Sequence, residues 1–237
     1  MKKFSVYCLG MLLLAGCSSD QSKIVGENAD LIYKEAEVLL SRGNYEDAAK
    51  KFKDIDAYFP YSEKASRSQV MAAYCHFRSG SYSDAISAVD AFLRYHPSNK
   101  LVPYAMYLKA MSLYVAVSSV GRDSQQAREA KDCFIELINR FPKSKYVQDS
   151  MKRVVILDDI IADHELMIGR YYQKNRNALA AIGRYDYILT DFPNTKSAEE
   201  ALFRMVECCK SLGLEKQANL SAELLKKRFP NSIWKIK

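Results

Sequence analysis

A segment that reads GNYEDAAKKFKDIDAYFP over residues 43–60 returns over residues 80–97 as GSYSDAISAVDAFLRYHP. Each copy begins with Gly and ends with Pro, and the apolar residues between them recur at helical spacing. Gly readily adopts the left-handed backbone that ends one helix, and Pro ends the next helix because it restricts the residue before it. Both copies therefore predict the turn and the second helix of a helical hairpin.

The closing proline recurs along the chain. Five of the six prolines share this context: Pro60, Pro97, Pro142, Pro193 and Pro230. They are separated by 37, 45, 51 and 37 residues. These separations are compatible with the tetratricopeptide period of about 34 residues if some loops or helices are extended.

A small residue stands twelve positions before each of these prolines, where the second helix of a hairpin must approach the first. It is alanine in every repeat: Ala48, Ala85, Ala130, Ala181 and Ala218. The residues four and seven positions later are also apolar, so each second helix has one apolar face. These patterns predict an all-α, tetratricopeptide-like solenoid of five helical hairpins, in which stacked hairpins bury a continuous core.

The same landmarks set the expected boundaries. We expect helix pairs at residues 30–42 with 45–58, 64–79 with 82–95, 100–117 with 125–140, 145–174 with 178–191, and 196–212 with 215–228. Fourteen extra residues before Gly169 amount to almost four helical turns, which predicts an extended first helix in the fourth repeat. The surplus of the third repeat predicts an exposed loop over residues 117–124. Ser197 and Glu200 have the spacing of a capping box near the start of the ninth helix.

The N-terminal segment has the layout of a secretory signal. Lys2 and Lys3 precede an apolar run over residues 4–15, and a helix of that length spans roughly 18 Å, less than the hydrocarbon core of a bilayer. The sequence Leu-Ala-Gly-Cys at residues 14–17 resembles a bacterial lipobox. It predicts a cleaved signal peptide over residues 1–16, with S-diacylglycerol and N-acyl groups on Cys17; the alternative is an ordinary signal peptide followed by a chance cysteine. Residues 17–29 are expected to form a lipidated, flexible tether.

Cleavage would leave residues 17–237 and lower the formal net charge from +7 to +5. An exported chain does not meet chromosomal DNA, so we expect no nucleic-acid partner. The basic balance instead favours acidic protein surfaces or anionic lipid headgroups.

The sequence contains no convincing catalytic or metal-binding pattern. His76, His96 and His164 do not share ligand spacing, and neither a phosphate-binding loop nor a nucleophile elbow occurs. His96 takes the aromatic position before a repeat proline, which favours packing. His164 and Glu165 are adjacent on a predicted helix and point in different directions, so they do not form an acid–base pair. We expect no enzymatic activity, no metal and no cofactor other than the lipid.

The cysteine and tyrosine residues of the repeats have different expected roles. The cysteines of the repeats lack zinc-site spacing and are expected as buried small apolar residues: Cys75, Cys133, Cys208 and Cys209. Tyrosines on or near the first helices could line a groove for extended peptides, because each has an apolar ring and a polar tip. The candidate substrate groove comprises Tyr33, Tyr61, Tyr74 and Tyr104. Most such tyrosines pack between helices, and the sequence leaves open which ones do.

The lipobox, the uneven repeat spacing and several short segments together resemble one known family. The segments are Arg122-Asp123, Ala127-Arg128, Phe141-Pro142 with Ser144 and Tyr146, Lys152-Arg153, Tyr171-Tyr172, Arg184, and residues 191–195 and 200–202. This combination resembles the BamD family, lipoproteins of the outer-membrane β-barrel assembly machine. The resemblance covers the whole predicted mature chain.

The resemblance implies a non-enzymatic scaffold, anchored by lipid at the periplasmic face of the outer membrane of a Gram-negative bacterium. N-terminal repeats 1–3, residues 30–142, would receive nascent outer-membrane proteins. C-terminal repeats 4–5, residues 143–237, would bind the periplasmic transport-associated domains of the barrel-forming subunit. Arg184 matches the family's arginine that contacts an acidic residue of that subunit, and Arg122 and Asp123 are the other partner-binding candidates. Accessory assembly lipoproteins are further expected partners.

Two other functions remain open from the sequence. A tetratricopeptide lipoprotein adaptor for peptidoglycan enzymes or periplasmic proteases would use the same groove, although the Arg122-Asp123 segment and the extended fourth repeat argue against it. A cell-wall hydrolase would need a cleft domain with a catalytic glutamate, and the repeats leave no residues for such a domain.

Overall fold

The structure is a computed structural model that describes residues 19–120 and 124–234, with side chains over residues 28–117 and 124–234. Within these ranges every regular element is an α-helix. The helices are α1 Ser19–Ser41, α2 Tyr45–Tyr58, α3 Ala65–Arg78, α4 Tyr82–Tyr95, α5 Val102–Val120, α6 Ser124–Arg140, α7 Val147–Lys174, α8 Ala178–Asp191, α9 Lys196–Ser211 and α10 Glu215–Arg228.

Helices that follow one another in the chain pack against one another. They form five antiparallel hairpins, α1 with α2 through α9 with α10, and each hairpin stacks on the next. First helices of neighbouring hairpins also touch, α3 with α5 and α7 with α9. The structure therefore confirms an all-α, tetratricopeptide-like solenoid of five hairpins. It also confirms the extended first helix of the fourth repeat, since α7 has 28 residues.

The repeat alanines lie where each second helix meets its neighbours. All five are completely buried: Ala48, Ala85, Ala130, Ala181 and Ala218. Apolar residues four and seven positions later, such as Phe52 and Ile55 in the first hairpin, are buried as well. A methyl group allows close approach of two backbones, and the larger residues on the same face fill the space around it.

Four of the hairpin turns contain a residue whose backbone adopts the left-handed conformation, with positive φ. Gly43 and Gly80 have φ angles of +77° and +83°, and Gly213 has +71°, as expected for residues that end a helix in this conformation. The fourth hairpin places Arg176 there, with φ +60°. A non-glycine residue in this region costs about 1 kcal/mol.

A second glycine role occurs inside α7. A Cβ atom built on Gly169 would lie 2.4 Å from Cε1 of Tyr185 on α8, far closer than two carbon atoms can approach. The absence of a side chain at Gly169 therefore lets the buried Tyr185 ring lie directly against the α7 backbone.

The structure corrects two predicted irregular segments. Helix α1 begins at Ser19, so residues 19–29, expected as part of a tether, are helical. Helix α5 continues to Val120, and Val117, expected in an exposed loop, is only 7% exposed. Both helices extend because they meet no proline, and adding a residue to an existing helix costs little compared with nucleating one. Residues 121–123 of the predicted loop lie outside the described part of the chain.

The predicted capping box is also wrong. The N-cap of α9 is Thr195, and its side chain makes no capping hydrogen bond. Ser197 instead donates a hydrogen bond to Asp163 on α7, and Glu200 binds two arginines. The Ser197 and Glu200 side chains therefore bind residues elsewhere in the fold and do not cap α9.

Candidate partner-binding site

A carboxylate buried among three helices defines the candidate site. Glu165 lies on α7, and its side chain is 5% exposed. Arg128 on α6 approaches it from one side, with Nη2 2.7 Å from Oε1. Arg184 on α8 approaches from the other, with Nη1 3.0 Å from Oε2. Each carboxylate oxygen therefore accepts a hydrogen bond from a different arginine.

Arg128 is itself held in place by a tyrosine. Its Nη1 donates to the hydroxyl oxygen of Tyr187 on α8 at 2.7 Å, and its guanidinium carbon lies 5.5 Å from the centre of that ring. Tyr187 in turn packs edge-on against Phe192. Because both ends of the Arg128 fork are occupied, this guanidinium ties α6 to α7 and to α8.

Charge is not balanced within this group, which we call the Glu165 triad: Arg128, Glu165 and Arg184. Two guanidinium groups and one carboxylate sum to one positive charge. Arg184 is the most accessible member, with 42% of its side chain exposed, against 28% for Arg128. Among the described residues, Glu165 is the only carboxylate within 4.0 Å of Arg184. The excess positive charge is therefore presented to solvent at Arg184.

A second buried carboxylate lies 35 positions further along the chain. Glu200 on α9 accepts hydrogen bonds from Arg170 on α7, at 2.8 Å from Nε, and from Arg204 on α9, at 3.1 Å. Arg204 also binds Glu207 at 3.2 Å. These four residues, the Glu200 network, contain two cations and two anions and are electrically neutral.

The pKa of the Glu200 carboxyl reflects this environment. Burial acts to raise the pKa, but hydrogen bonds and charge attraction from Arg170 and Arg204 outweigh burial and lower it below its usual value. The carboxylate is therefore stabilised in its ionised form.

Three of the predicted site residues lie outside the described part of the chain. They are Cys17, the lipidation candidate, and the partner-binding candidates Arg122 and Asp123. Arg184 lies on the second helix of the fourth hairpin, as expected, in the Glu165 triad. Its partner-binding role remains a prediction.

The four groove tyrosines do not form one surface. Tyr33 is 3% exposed and packs against Phe52, with ring centres 5.3 Å apart. It is therefore a core residue, because the first two helices close around its ring. Tyr61 is fully exposed after Pro60. Tyr74 and Tyr104 are half-buried; the hydroxyl of Tyr74 accepts a hydrogen bond from Arg78, and the ring of Tyr104 packs on Tyr146.

His96 and the four cysteines of the repeats lie among packed side chains. The His96 ring lies 5.4 Å from the Phe92 ring, which confirms a packing role. Cys75, Cys208 and Cys209 are buried and Cys133 is half-buried, all as free thiols. Burial raises the pKa of the Cys75 thiol to about 11, so that thiol remains protonated at neutral pH. The described residues include no group of three His, Cys, Asp or Glu side chains arranged to hold a metal ion.

The central member of the triad was not predicted from the sequence. Glu165 was expected only as a neighbour of His164, and Arg128 only as part of a segment of the family resemblance. A signal was present: Leu157, Ile161 and Glu165 are spaced four apart, so the glutamate continues a buried helical stripe. A charge on such a stripe needs a partner of opposite charge, because burying it alone is costly.

Comparison with known proteins assigns the family. The family model described as YfiO, outer membrane lipoprotein, matches residues 26–224. The outer membrane protein assembly factor BamD of Rickettsia prowazekii (strain Madrid E) is 36% identical over 225 residues, covering 94% of this chain and 89% of that protein. The chain belongs to the BamD family.

Two further BamD proteins extend the comparison. The BamD of Caulobacter vibrioides is 33% identical, covering 94% of this chain and 74% of that protein. The BamD of Neisseria meningitidis serogroup B is 32% identical, covering 86% of this chain and 80% of that protein. The family assignment therefore covers nearly the whole chain.

Solved structures with similar helical arrangements include MamA 41-end from Desulfovibrio magneticus RS-1. It is 14% identical, with a TM-score of 0.41, covering 88% of this chain and 99% of that one. A tetratricopeptide repeat protein from Parabacteroides merdae ATCC 43184 is also 14% identical, with a TM-score of 0.41, covering 87% of this chain and 69% of that one.

No helix in the described ranges has both the length and the apolar character required to cross a membrane.

Proposed function

We propose that this protein is an outer membrane protein assembly factor that acts as a non-enzymatic, lipid-anchored scaffold. The observation that carries the proposal is the 36% identity to an assembly factor over 94% of the chain. A solenoid of stacked hairpins suits this role, since it offers long surfaces on which partners can dock.

The C-terminal repeats, residues 143–237, bind the periplasmic domains of the barrel-forming subunit in this proposal. Arg184 supports the assignment because it is a partly exposed arginine in a group with one unbalanced positive charge. An acidic side chain of the subunit would complete the charge balance through a charge-assisted hydrogen bond. Arg122 and Asp123 would contact the same subunit or an accessory assembly lipoprotein.

The N-terminal repeats, residues 30–142, receive nascent outer-membrane proteins. Exposed apolar surface in this half supports the idea. Leu31 and Val38 on α1 are 58% and 46% exposed and line a groove of about 460 Å³ with Leu39 and the stem of Lys51. Tyr61, Tyr74 and Tyr104 provide further accessible aromatic surface on the first three hairpins.

The lipid on Cys17 holds the scaffold at the periplasmic face of the outer membrane. The lipobox-like residues 14–17 support this anchor, and α1 begins at Ser19. Intact-mass measurement of the membrane-extracted protein checks the anchor. It should show loss of residues 1–16 and a mass increase from acylation, and a Cys17→Ala variant should lack that increase.

Copurification tests the function itself. The protein is extracted from its own cells in mild detergent, and we expect the barrel-forming subunit to copurify with it. Depletion of the protein should reduce the amount of folded outer-membrane β-barrels. If the subunit is absent under gentle extraction while peptidoglycan enzymes or proteases are recovered, the protein is an adaptor for those enzymes instead. Sustained turnover of purified murein would overturn the non-enzymatic assignment.

A further inference from the structure

Glu165 occupies a position where an apolar residue would be expected. It continues the buried stripe of Leu157 and Ile161, and its side chain is 5% exposed. Removing a carboxylate from water costs several kcal/mol, and a buried ion pair often stabilises a fold no better than apolar residues of the same size. Packing alone therefore gives no reason for a glutamate at this point.

The geometry around Arg184 supplies such a reason. Glu165 accepts a hydrogen bond from one terminal nitrogen, Nη1. Within the described chain, Nη1 is the only Arg184 atom that makes a hydrogen bond, so the Nε and Nη2 donors remain available to solvent. An arginine held at one end loses less conformational entropy when it binds a second carboxylate, because its side chain is already ordered.

Arg128 fixes the orientation of the Glu165 carboxylate. It binds the other oxygen of Glu165 at 2.7 Å and is fixed by Tyr187. The carboxylate therefore has a defined orientation before Arg184 meets it. The contacts run in the order Tyr187, Arg128, Glu165 and Arg184, and Arg184 is the most exposed of the three charged residues.

The surface next to Arg184 is open. Gly183 is exposed, and a Cβ atom built on it would meet nothing within 4 Å. The Arg184 guanidinium, next in sequence to this bare backbone, therefore leaves room for an acidic side chain to approach.

We propose that Glu165 is a positioning residue: anchored by Arg128, it orients Arg184 so that the guanidinium presents its free donors to an acidic side chain of the barrel-forming subunit. The inference rests on the proposed function, because it assumes that Arg184 lies in that interface. It adds a residue that touches no partner and acts only through Arg184.

A double-mutant cycle tests the inference. The full lipidated protein in mild detergent is titrated with the purified periplasmic domains of the barrel-forming subunit from the same organism, and Kd is measured for wild type, Glu165→Gln, Arg184→Ala and the double variant. We expect each single substitution to weaken binding about tenfold. In the Arg184→Ala background, Glu165→Gln should change Kd less than twofold, because a positioning residue has no effect once its target is gone.

Glu200→Gln is the matched control. It removes one charge from another buried carboxylate that binds two arginines, so its cost in thermal stability resembles that of Glu165→Gln. Its effect on Kd should stay below twofold. A purely structural role for Glu165 would instead lower affinity only in proportion to lost stability, equally in both Arg184 backgrounds.

A second variant leaves the carboxylate intact. Arg128→Lys keeps the positive charge but replaces the two terminal nitrogens of the guanidinium with a single amine. The lysine therefore cannot keep both the hydrogen bond to Glu165 and the hydrogen bond to Tyr187 in their present geometry. We expect affinity to fall two- to fivefold with Arg184 present and to stay unchanged with Arg184→Ala. If Glu165→Gln does not fold, the affinities of the Arg128→Lys variants test the inference in its place.

The outcomes separate the inference from the proposed function. Absence of wild-type binding overturns both. Normal binding that Arg184→Ala weakens, but that neither Glu165→Gln nor Arg128→Lys changes, overturns the inference and leaves the proposed function standing. Equal loss on Glu165→Gln in both backgrounds also overturns it. Loss confined to the background with Arg184 supports it.

Discussion

The Glu165 triad and the Glu200 network are built alike but differ in net charge. In each, a buried glutamate on a first helix accepts hydrogen bonds from two arginines; both come from neighbouring helices in the triad, whereas one comes from a neighbouring helix and one from the same helix in the Glu200 network. The Glu200 network includes Glu207 and is neutral. The triad contains no second acid and keeps one positive charge, and Arg184 is its more exposed cation.

Under the proposed function, this difference in charge distinguishes a group that binds a partner from one that only joins helices. A neutral group satisfies its charges internally and joins α7 to α9. A group with an uncompensated charge at its surface joins helices equally well and in addition attracts a partner of opposite charge. Burial of the glutamate is common to both groups, so it does not distinguish a group that binds a partner from one that does not. The net charge of each group makes that distinction.

The largest effect is expected from a substitution that disturbs both groups at once. Gly169→Ala places a methyl group 2.4 Å from the Tyr185 ring, between Glu165 and Arg170 on α7. Overpacking of this kind costs about 3 kcal/mol in the free energy of unfolding, measured by urea denaturation. Gly183→Ala on α8 is the control: its methyl group meets open space, and a Gly→Ala change in a helix gains up to about 1 kcal/mol. Equal stability of the two variants would contradict the packing.

A charge reversal should affect partner binding when it is made in the triad but not when it is made in the Glu200 network. Arg184→Glu sets a second carboxylate against the buried Glu165 and leaves Arg128 as the only cation. We expect a loss of about 2 kcal/mol in urea denaturation, reduced by the partial exposure of Arg184. It should also abolish measurable binding of the barrel-forming subunit. Arg170→Glu should destabilise the protein by a similar amount without affecting binding, and a loss of binding there would remove the distinction between the two groups.

A smaller effect tests the anchor of the triad. Tyr187→Phe removes the hydroxyl that accepts a hydrogen bond from Arg128 and keeps the ring beneath the guanidinium. We expect a loss of about 1 kcal/mol in the free energy of unfolding, the usual net value of one hydrogen bond. Tyr171→Phe is the control, since the Tyr171 ring is 65% exposed and its hydroxyl makes no hydrogen bond in the described chain. Identical stability for both variants would show that the Tyr187 hydroxyl contributes nothing.

The smallest effect concerns pH and belongs to the Glu200 network. Because the folded-state pKa of Glu200 lies below its ordinary value of 4.5, its ionised form favours folding above that value. This contribution is lost as the pH falls through the lowered pKa. Stability measured by urea denaturation between pH 7 and pH 3 should therefore fall less steeply in Glu200→Gln than in wild type. Glu215→Gln, which changes an exposed carboxyl, should follow the wild-type slope.

Much of the fold followed from local signals. Glycine at φ +77° and +83° and proline at the repeat ends marked the turns, and alanine at one fixed position marked the helix contacts. The two corrected segments, residues 19–29 and 117–120, have no such signal. A polar, serine-rich composition or a surplus of residues does not distinguish a loop from a helix that simply continues.

The candidate site was predictable only in part. Arg184 was identified by resemblance to the BamD family, and its helix followed from the repeat pattern. Tyr33 was assigned to a groove because it lies on a first helix, but the rotation of α1 turns its ring into the core. The sequence places a residue on a helix; which side of the helix faces solvent depends on how the neighbouring helices pack.

The sequence by itself determined the number of hairpins, their order and most of their boundaries, because turns, helix ends and apolar faces depend on residues close together in the chain. Only the tertiary structure decided which charges meet. Glu165 binds residues 37 and 19 positions away, and Glu200, which has the sequence spacing of a helix cap, binds one 30 positions away. Ion pairs over such distances depend on the stacking and rotation of the helices, which decide the side chains that face one another.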